Sequence, residues 1–277
     1  MILVTAAAGR TGRHIVAALN ARGLSTRIFV LPSEASGAPK ADETFVGDML
    51  NKADLAKACK DVEAVIHTGP MGADEPVMGQ WVVDAARAAG VPHFVYISVV
   101  HPQIEWLLNH QHKLRVENYL INYGVPYTIL QPMHYMQNID VRTVVERGAY
   151  SEPYSADVRL SFLDMADLAE AAAKVVTDAA HYYATYEICG SDALNSREIA
   201  AILSSCSGKP VCPGEIPLKE FFAKLPPLDP YFRDFLVRLF VYYNERGFRG
   251  NPNVLGWLLG RSPTTFRQYV ERMLSQT

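Results

Sequence analysis

The chain has 277 residues, 49% hydrophobic and 20% charged, with a formal net charge of −3. That length suits one large α/β domain or a domain with a smaller appendage. The charge balance lacks the basic footprint of a nucleic-acid binder, and no apolar run approaches the ~20 residues of a membrane helix.

The start "MILVTAAAG" has no basic stretch of the kind that opens a signal peptide, so a cytoplasmic protein is expected. Its four cysteines show no CxxC spacing and are expected to be reduced thiols.

Strand-like and helix-like segments alternate through the first half. Residues 2–5 (ILVT) form a short apolar run of the kind buried on both faces of a parallel sheet. A helical stripe follows with Ile15, Val16 and Leu19, stopped by Arg22-Gly23. Further strands are expected at 26–31, 44–47, 63–68, 93–98 and 126–132. Helices are expected between them, over "NKADLAKACKDV", "PVMGQWVVDAARAAG" and "EWLLNHQHKLRVENYLINYG". This rhythm predicts an α/β fold, a Rossmann-type doubly wound parallel sheet, with a ligand crevice between the first and fourth strands.

From residue 164 the pattern changes to an Asp-capped helix, a strand "YEICG", a helix over 195–208 and then clustered prolines and aromatics. Residues 1–150 are therefore read as a dinucleotide-binding domain. Residues 151–277 are read as a mostly helical C-terminal substrate lobe, partly integrated with the first. Phe221, Phe222, Tyr231 and Phe232 suit the core of that lobe better than ligand contact.

The chemistry is concentrated at the first turn, "AAAGRTG". A dinucleotide turn uses one glycine for a tight bend, a second for close approach to the pyrophosphate and a third for helix–strand packing. Gly9 and Gly12 fit the second and third roles, while Ala6 occupies the first. If φ is negative at Ala6 the methyl costs little; if positive it adds strain of about 1 kcal/mol. Arg10 and Thr11 stand where amides at a helix N-terminus face an anion. The alternative is a plain strand–helix turn without a ligand.

Together, "VTAAAGRTGRHIVAAL", "VGDMLNKADLAKACKDVEAVIHTGP", "VVDAARAAGVPHFVYISVVHP", "HKLRVENYLINYGVPYTILQPMHYMQN" and "NPNVLGWLLGRSPTTFRQYVER" resemble the NmrA-like family. These are atypical members of the short-chain dehydrogenase/reductase superfamily, related to isoflavone-reductase-like proteins. The resemblance implies NADP(H) or NAD(H) as cofactor, with NADP(H) ahead by resemblance alone. Asp48, with Met49 beside it, matches the adenine-side position; a helix cap is the competing role for Asp48. Thr68, Gly69 and Pro70 are placed by the ribose, and Gln131 and Pro132 by the nicotinamide. Met133, His134 and Tyr135 are placed against the substrate.

Two departures stand out. Val30-Leu31-Pro32-Ser33 carries neither the arginine that meets a 2′-phosphate nor an acid for the NAD ribose, leaving Lys40 and Arg27 as candidate phosphate contacts. The superfamily's serine and lysine match Ser98 and Lys113, but the tyrosine four residues before the lysine is Asn109, which is not a general acid. His101, His110 and His112 lie nearby in the sequence, and His101 is the preferred proton donor, with His134 second. No metal site is expected, since His110 and His112 point about 200° apart on a helix.

The expected function is an NAD(P)H-dependent reductase of a small hydrophobic carbonyl, quinone or enone. A non-redox isomerase or lyase and a dinucleotide-sensing regulator are the competing readings. No nucleic-acid or membrane partner is expected, and the chain is read as a monomer or homodimer.

Overall fold

The computed structural model describes residues 1–276. In chain order the chain forms β1 (Ile2–Val4), α1 (Arg10–Ala21), β2 (Thr26–Val30), β3 (Glu43–Val46), α2 (Lys52–Ala58), β4 (Ala64–Thr68) and α3 (Glu75–Ala88). There follow β5 (His93–Ile97), α4 (Leu108–Tyr123), β6 (Tyr127–Pro132), β7 (His134–Tyr135), α5 (Val141–Arg147), β8 (Ala149–Glu152) and β9 (Leu160–Leu163). The remainder is α6 (Met165–Val175), β10 (Ala184–Ile188), β11 (Ala193–Leu194), α7 (Ser196–Ser207), β12 (Cys212–Glu215), α8 (Leu218–Ala223), α9 (Pro230–Arg246), α10 (Asn253–Leu259) and α11 (Phe266–Ser275).

These elements form two compact units that interleave along the chain rather than meeting near residue 150. The first comprises Met1–Glu105, Asn109–Pro132 and Met165–Glu187. The second comprises Trp106–Leu108, Met133–Asp164 and the described residues from Ile188 onward.

The first unit is built on a seven-stranded sheet in the order β10-β6-β5-β4-β1-β2-β3. From β3 across to β6 the neighbouring strands pair in parallel. The strand order reverses between β1 and β4, where an open α/β sheet leaves a crevice outside its carboxyl ends. β1, β4 and β5 are buried along their whole length, which is why they read as near-continuous apolar runs. Burial of Leu3, Phe29, Val65, Val82, Phe94 and Ile129 joins sheet and helices into one core.

Two expected elements are shorter in the structure. The long helix begins at Leu108, so residues 105–107 precede it, and Trp106 there is 52% exposed. The helix after β3 is capped by Asn51, whose side chain accepts from the Ala53 amide. Asp48 therefore does not cap that helix; it accepts from Leu50 N–H one turn earlier.

The second unit contains a three-stranded sheet, β11-β9-β7, and a pair, β12-β8. His134 and Tyr135 lie opposite Phe162 and Leu163 in parallel register. α7 is closed at its start by Asn195 and Glu198 in a reciprocal cap, and α11 likewise by Thr265 and Gln268.

Candidate functional site

The turn after β1 answers the question posed by its alanine. Ala6 has φ +45°, in the left-handed region that favours glycine, so its methyl is tolerated at a cost of about 1 kcal/mol. The bend is closed by Gly9 N–H donating to the Ala6 carbonyl at 3.1 Å. At Gly12 a Cβ would lie 2.6 Å from the Ala6 oxygen and 2.7 Å from Ala7 Cα, so only glycine lets α1 approach β1 this closely.

Gly9 is the N-cap of α1. No side chain caps it, and no acid stands in the first turn. Three first-turn amides, at Arg10, Thr11 and Gly12, thus begin a helix whose positive end faces outward from β1. Arg13 braces the loop from behind, donating to the Ala8 carbonyl at 2.8 Å and to Gly37 O at 2.5 Å.

Beside the turn, Thr5 cross-links the two strands that flank the order reversal. Its Oγ1 accepts from Thr68 N–H, while the Thr68 hydroxyl donates to Thr5 O at 2.8 Å. The same Oγ1 lies 2.7 Å from His67 Nδ1. His67 is fully buried and stacked on Tyr96, and burial, with Lys113 adding to it, lowers its pKa to about 3. The other ring nitrogen, Nε2, is buried without a hydrogen-bond partner.

Lys113 lies next to this stack, with its ammonium 5.3 Å from the Tyr96 ring centroid. It pairs with Glu75 Oε1 at 2.5 Å and donates to the carbonyls of Ile97 at 3.1 Å and Gly69 at 3.4 Å. An ammonium has three donors, and all three are engaged here. The side chains of Lys113 and Glu75 are 9% and 0% exposed, so this is a buried ion pair. A Cβ at Gly69 would meet Glu75 Oε1 at 2.7 Å, which gives that glycine a steric reason.

Around this pair lies further buried polarity. Glu117 accepts from Gln131 Nε2 at 2.9 and 3.1 Å. Burial raises the Glu117 pKa, and Ser98, Gln131 and Lys113 pull it back. Ser98 is 4% exposed and Asn109 Oδ1 is buried without a hydrogen-bond partner.

The remaining candidates are placed as follows. His101, at φ +50°, turns its ring towards Glu187 on β10, with Nε2 3.5 Å from the carboxylate. His110 is bonded to His101 O, and burial lowers its pKa to about 4. His112 meets Gly72 O. Asp48 is exposed, whereas Met49 belongs to the hydrophobic core.

Thr68, Gly69, Gln131 and Pro132 all end strands of the first unit. Met133, His134 and Tyr135 belong to the second, where Met133 is 2% exposed and His134 Nδ1 is 3.2 Å from Tyr243 Oη. Neither basic candidate for a phosphate is at the carboxyl end of the sheet. Arg27 is bound to Glu43, Ala58 O and Lys60 O at the start of β2, and Lys40 precedes the start of β3. Just after β2, the Glu34 carboxylate accepts from Leu31 N–H at 3.2 Å. Among the described residues no cluster of three or more His, Cys, Asp or Glu could hold a metal, and no helix is long and apolar enough to cross a membrane.

A profile of the NmrA-like family matches residues 1–270. The chain belongs to the NmrA-like family. Among its relatives, quinone oxidoreductase 2 of Escherichia coli is 27% identical over 99% of each chain. The NAD(P)H azoreductase of Xenophilus azovorans is 28% identical over 76% of this chain and 75% of its own. The crystal structure of the E. coli enzyme with NADPH superposes with a TM-score of 0.84 at 25% identity, covering 99% of this chain and 100% of that one.

Of the residues in this buried polar cluster, the sequence singled out Lys113 and Ser98, and Glu117 only as an i+4 partner of Lys113, but not Thr5, His67 or Glu75. A histidine inside the otherwise apolar "AVIHT" run was the one available signal for His67. Glu75 reads in sequence as an ordinary first-turn acid ahead of Pro76.

Proposed function

We propose that the chain is an NAD(P)H-dependent reductase that delivers hydride to a small hydrophobic carbonyl, quinone or enone in the cytoplasm. The observation that carries this reading is the first turn: a left-handed Ala6, a Gly12 with no room for a side chain, and an uncapped helix start at the order reversal of the sheet. That cradle fits a pyrophosphate, which the amides of Arg10, Thr11 and Gly12 would hold through hydrogen bonds and the helix dipole. The relatives named as NAD(P)H enzymes support the same assignment.

When bound, the dihydronicotinamide supplies the hydride. The chain supplies position. Thr5 and Thr68 hold the two strand ends beside the crevice together, and Gly69 gives the backbone close approach. Lys113, fixed by Glu75, holds the ends of β4 and β5 in place through Gly69 O and Ile97 O. Ser98 and Asn109 are the polar groups left to orient an acceptor.

The test is a fluorescence titration with NADPH and NADH, followed by turnover with menadione. The wild-type chain binds at least one nucleotide and oxidises it when quinone is present. Gly9→Val, whose branched side chain starts 3.3 Å from Ala6 O, loses that binding while remaining folded by circular dichroism. Unchanged nucleotide affinity in Gly9→Val overturns the placement, and no binding of either nucleotide by the wild type overturns the function.

A further inference from the structure

Hydride delivered to a carbonyl or quinone leaves negative charge on oxygen, and a proton must follow it. The buried polar cluster of the first unit, at the ends of β4, β5 and β6, bears on where that proton comes from. Its obvious donors are committed. Lys113 has its three N–H groups on Glu75, Ile97 O and Gly69 O. Asn109, one turn earlier on α4, is an amide and gives up no proton near neutrality. His101 turns its ring towards Glu187 on β10, at the edge of the sheet.

Counting charges singles out a different group. Lys113 and Glu117 stand one turn apart on the buried side of α4. Around them are Glu75 from the start of α3, His67 from β4, Tyr96 from β5 and Gln131 from β6. His67 and Tyr96 are neutral, because burial lowers the first pKa to about 3 and raises the second well above its ordinary value. Among the described residues of this cluster, that leaves one ammonium for two carboxyls.

Glu75 is in direct contact with the ammonium, at 2.5 Å. Glu117 instead has neutral company, with Gln131 Nε2 donating to its two oxygens at 2.9 and 3.1 Å. A second carboxylate charge is unbalanced in so buried a place, and a proton on Glu117 removes it. Burial accordingly raises the Glu117 pKa above its ordinary 4.5, with Ser98, Gln131 and Lys113 pulling the other way.

The Ser98 hydroxyl lies beside this carboxyl. Its backbone is fixed by N–H donating to Leu130 O at 2.8 Å, and the residue is 4% exposed. Ser98 Oγ has no hydrogen-bond partner among the described residues. A carboxyl proton on Glu117 supplies what that oxygen lacks and leaves the proton of Ser98 free for the crevice outside the strand ends.

We propose that Glu117 stores the proton that completes the reduction and hands it through the Ser98 hydroxyl to the oxygen of the acceptor, an inference that rests on the function proposed above. At a carbonyl carbon the incoming hydride forms a C–H bond and the C=O π pair moves to oxygen. That oxygen takes the Ser98 proton, Ser98 Oγ takes the Glu117 proton, and Glu117 is left as a carboxylate. The acceptor gains two electrons and the dihydronicotinamide loses them. Gln131 and Lys113 steady the carboxylate until it takes a proton from solvent. Glu117 never touches the acceptor, so it is a positioning residue that acts through Ser98.

The experiment uses the full chain and two readouts. Infrared difference spectra of the wild type against Glu117→Gln, recorded without nucleotide, report whether Glu117 carries a proton. The wild type shows a protonated-carboxyl band that the variant lacks and that fades as pH rises. Turnover of NADPH with menadione is then followed from about pH 5 to about pH 9, after subtraction of the non-enzymatic rate.

In the wild type kcat falls on the alkaline side as Glu117 loses its proton. Glu117→Gln, nearly the same in shape, lowers kcat about a hundredfold, leaves KM for NADPH unchanged and removes that alkaline fall. Glu117→Asp restores part of the rate together with its pH dependence. Ser98→Ala keeps Glu117 in place and loses the same rate and the same pH dependence, which carries the comparison where Glu117→Gln has a lowered thermal midpoint.

An infrared spectrum with no carboxyl band lost in Glu117→Gln overturns the inference. So does a Glu117→Gln or Ser98→Ala chain that is slow at every pH yet keeps the wild-type pH profile, the mark of a merely structural role. Wild-type turnover in Glu117→Gln overturns it as well and leaves the reductase reading intact. A wild type that shows the band but never oxidises NADPH with menadione defeats the reductase reading and the inference with it.

Discussion

Lys113→Met would leave the Glu75 carboxylate fully buried and without its counter-ion, because neither Glu75 oxygen has another hydrogen-bond partner among the described residues. Breaking one side of a buried pair typically destabilises by 3–5 kcal/mol. Here the carboxyl has an escape: it can take up a proton. Holding a group of ordinary pKa 4.5 neutral at pH 7 costs about (7 − 4.5) × 1.36, or roughly 3 kcal/mol, and this sets the ceiling on the electrostatic part of the loss. At pH 5 the same arithmetic leaves less than about 1 kcal/mol.

The sign follows from linkage. In the variant the folded state binds a proton that the unfolded state releases above pH 4.5, so stability falls as pH rises from there. Urea denaturation of Lys113→Met at pH 5 and pH 7.5 should therefore show a deficit that grows by about 2–3 kcal/mol between the two. The double variant Glu75→Gln/Lys113→Met removes both charges and should recover most of the loss at pH 7.5, giving a coupling of about 2 kcal/mol. A deficit independent of pH, or a double variant as costly as the two single changes added together, would refute the idea that Lys113 is there to neutralise Glu75.

Three other outcomes are expected. Ala6→Gly relieves about 1 kcal/mol of left-handed strain but makes the unfolded chain looser by about 0.5–1 kcal/mol, so stability in urea titrations should rise by no more than about 0.5 kcal/mol, with nucleotide affinity equal or higher. Leu31→Arg, at an exposed position ending β2, should shift the NADPH-to-NADH affinity ratio about tenfold towards NADPH, as measured by titration with each nucleotide. Burial raises the Glu152 pKa to about 7, so the folded chain loses stability relative to Glu152→Gln as pH rises from about 4.5 to 7, and matched denaturation curves across that window would reveal the difference.

What was legible in the sequence follows from how far apart the interacting residues lie. A strand buried on both faces announces itself as an apolar run, so β1, β4, β5 and β6 and their order could be read directly. The Ala6 problem was also visible, because a turn of known geometry has a defined position for each glycine. The sign of φ there was not, since it depends on how α1 is held against the strand by Gly12. Glu75 was illegible for a related reason. An acid in a first helical turn has a satisfactory local explanation in the helix dipole, and nothing within its own segment reveals that Lys113 sits against it. The same applies to the return of residues 165–187 to the first unit, where α6 packs on α1 and β10 extends the sheet beyond β6. Each local pattern there is an ordinary amphipathic helix or strand, equally compatible with either unit. Local periodicity specifies which face an element buries, whereas the choice of partner is made by residues distant in sequence. The site of this protein is therefore half legible: its backbone cradle is local and could be read, while the ion pair that fixes Lys113 is tertiary and could not.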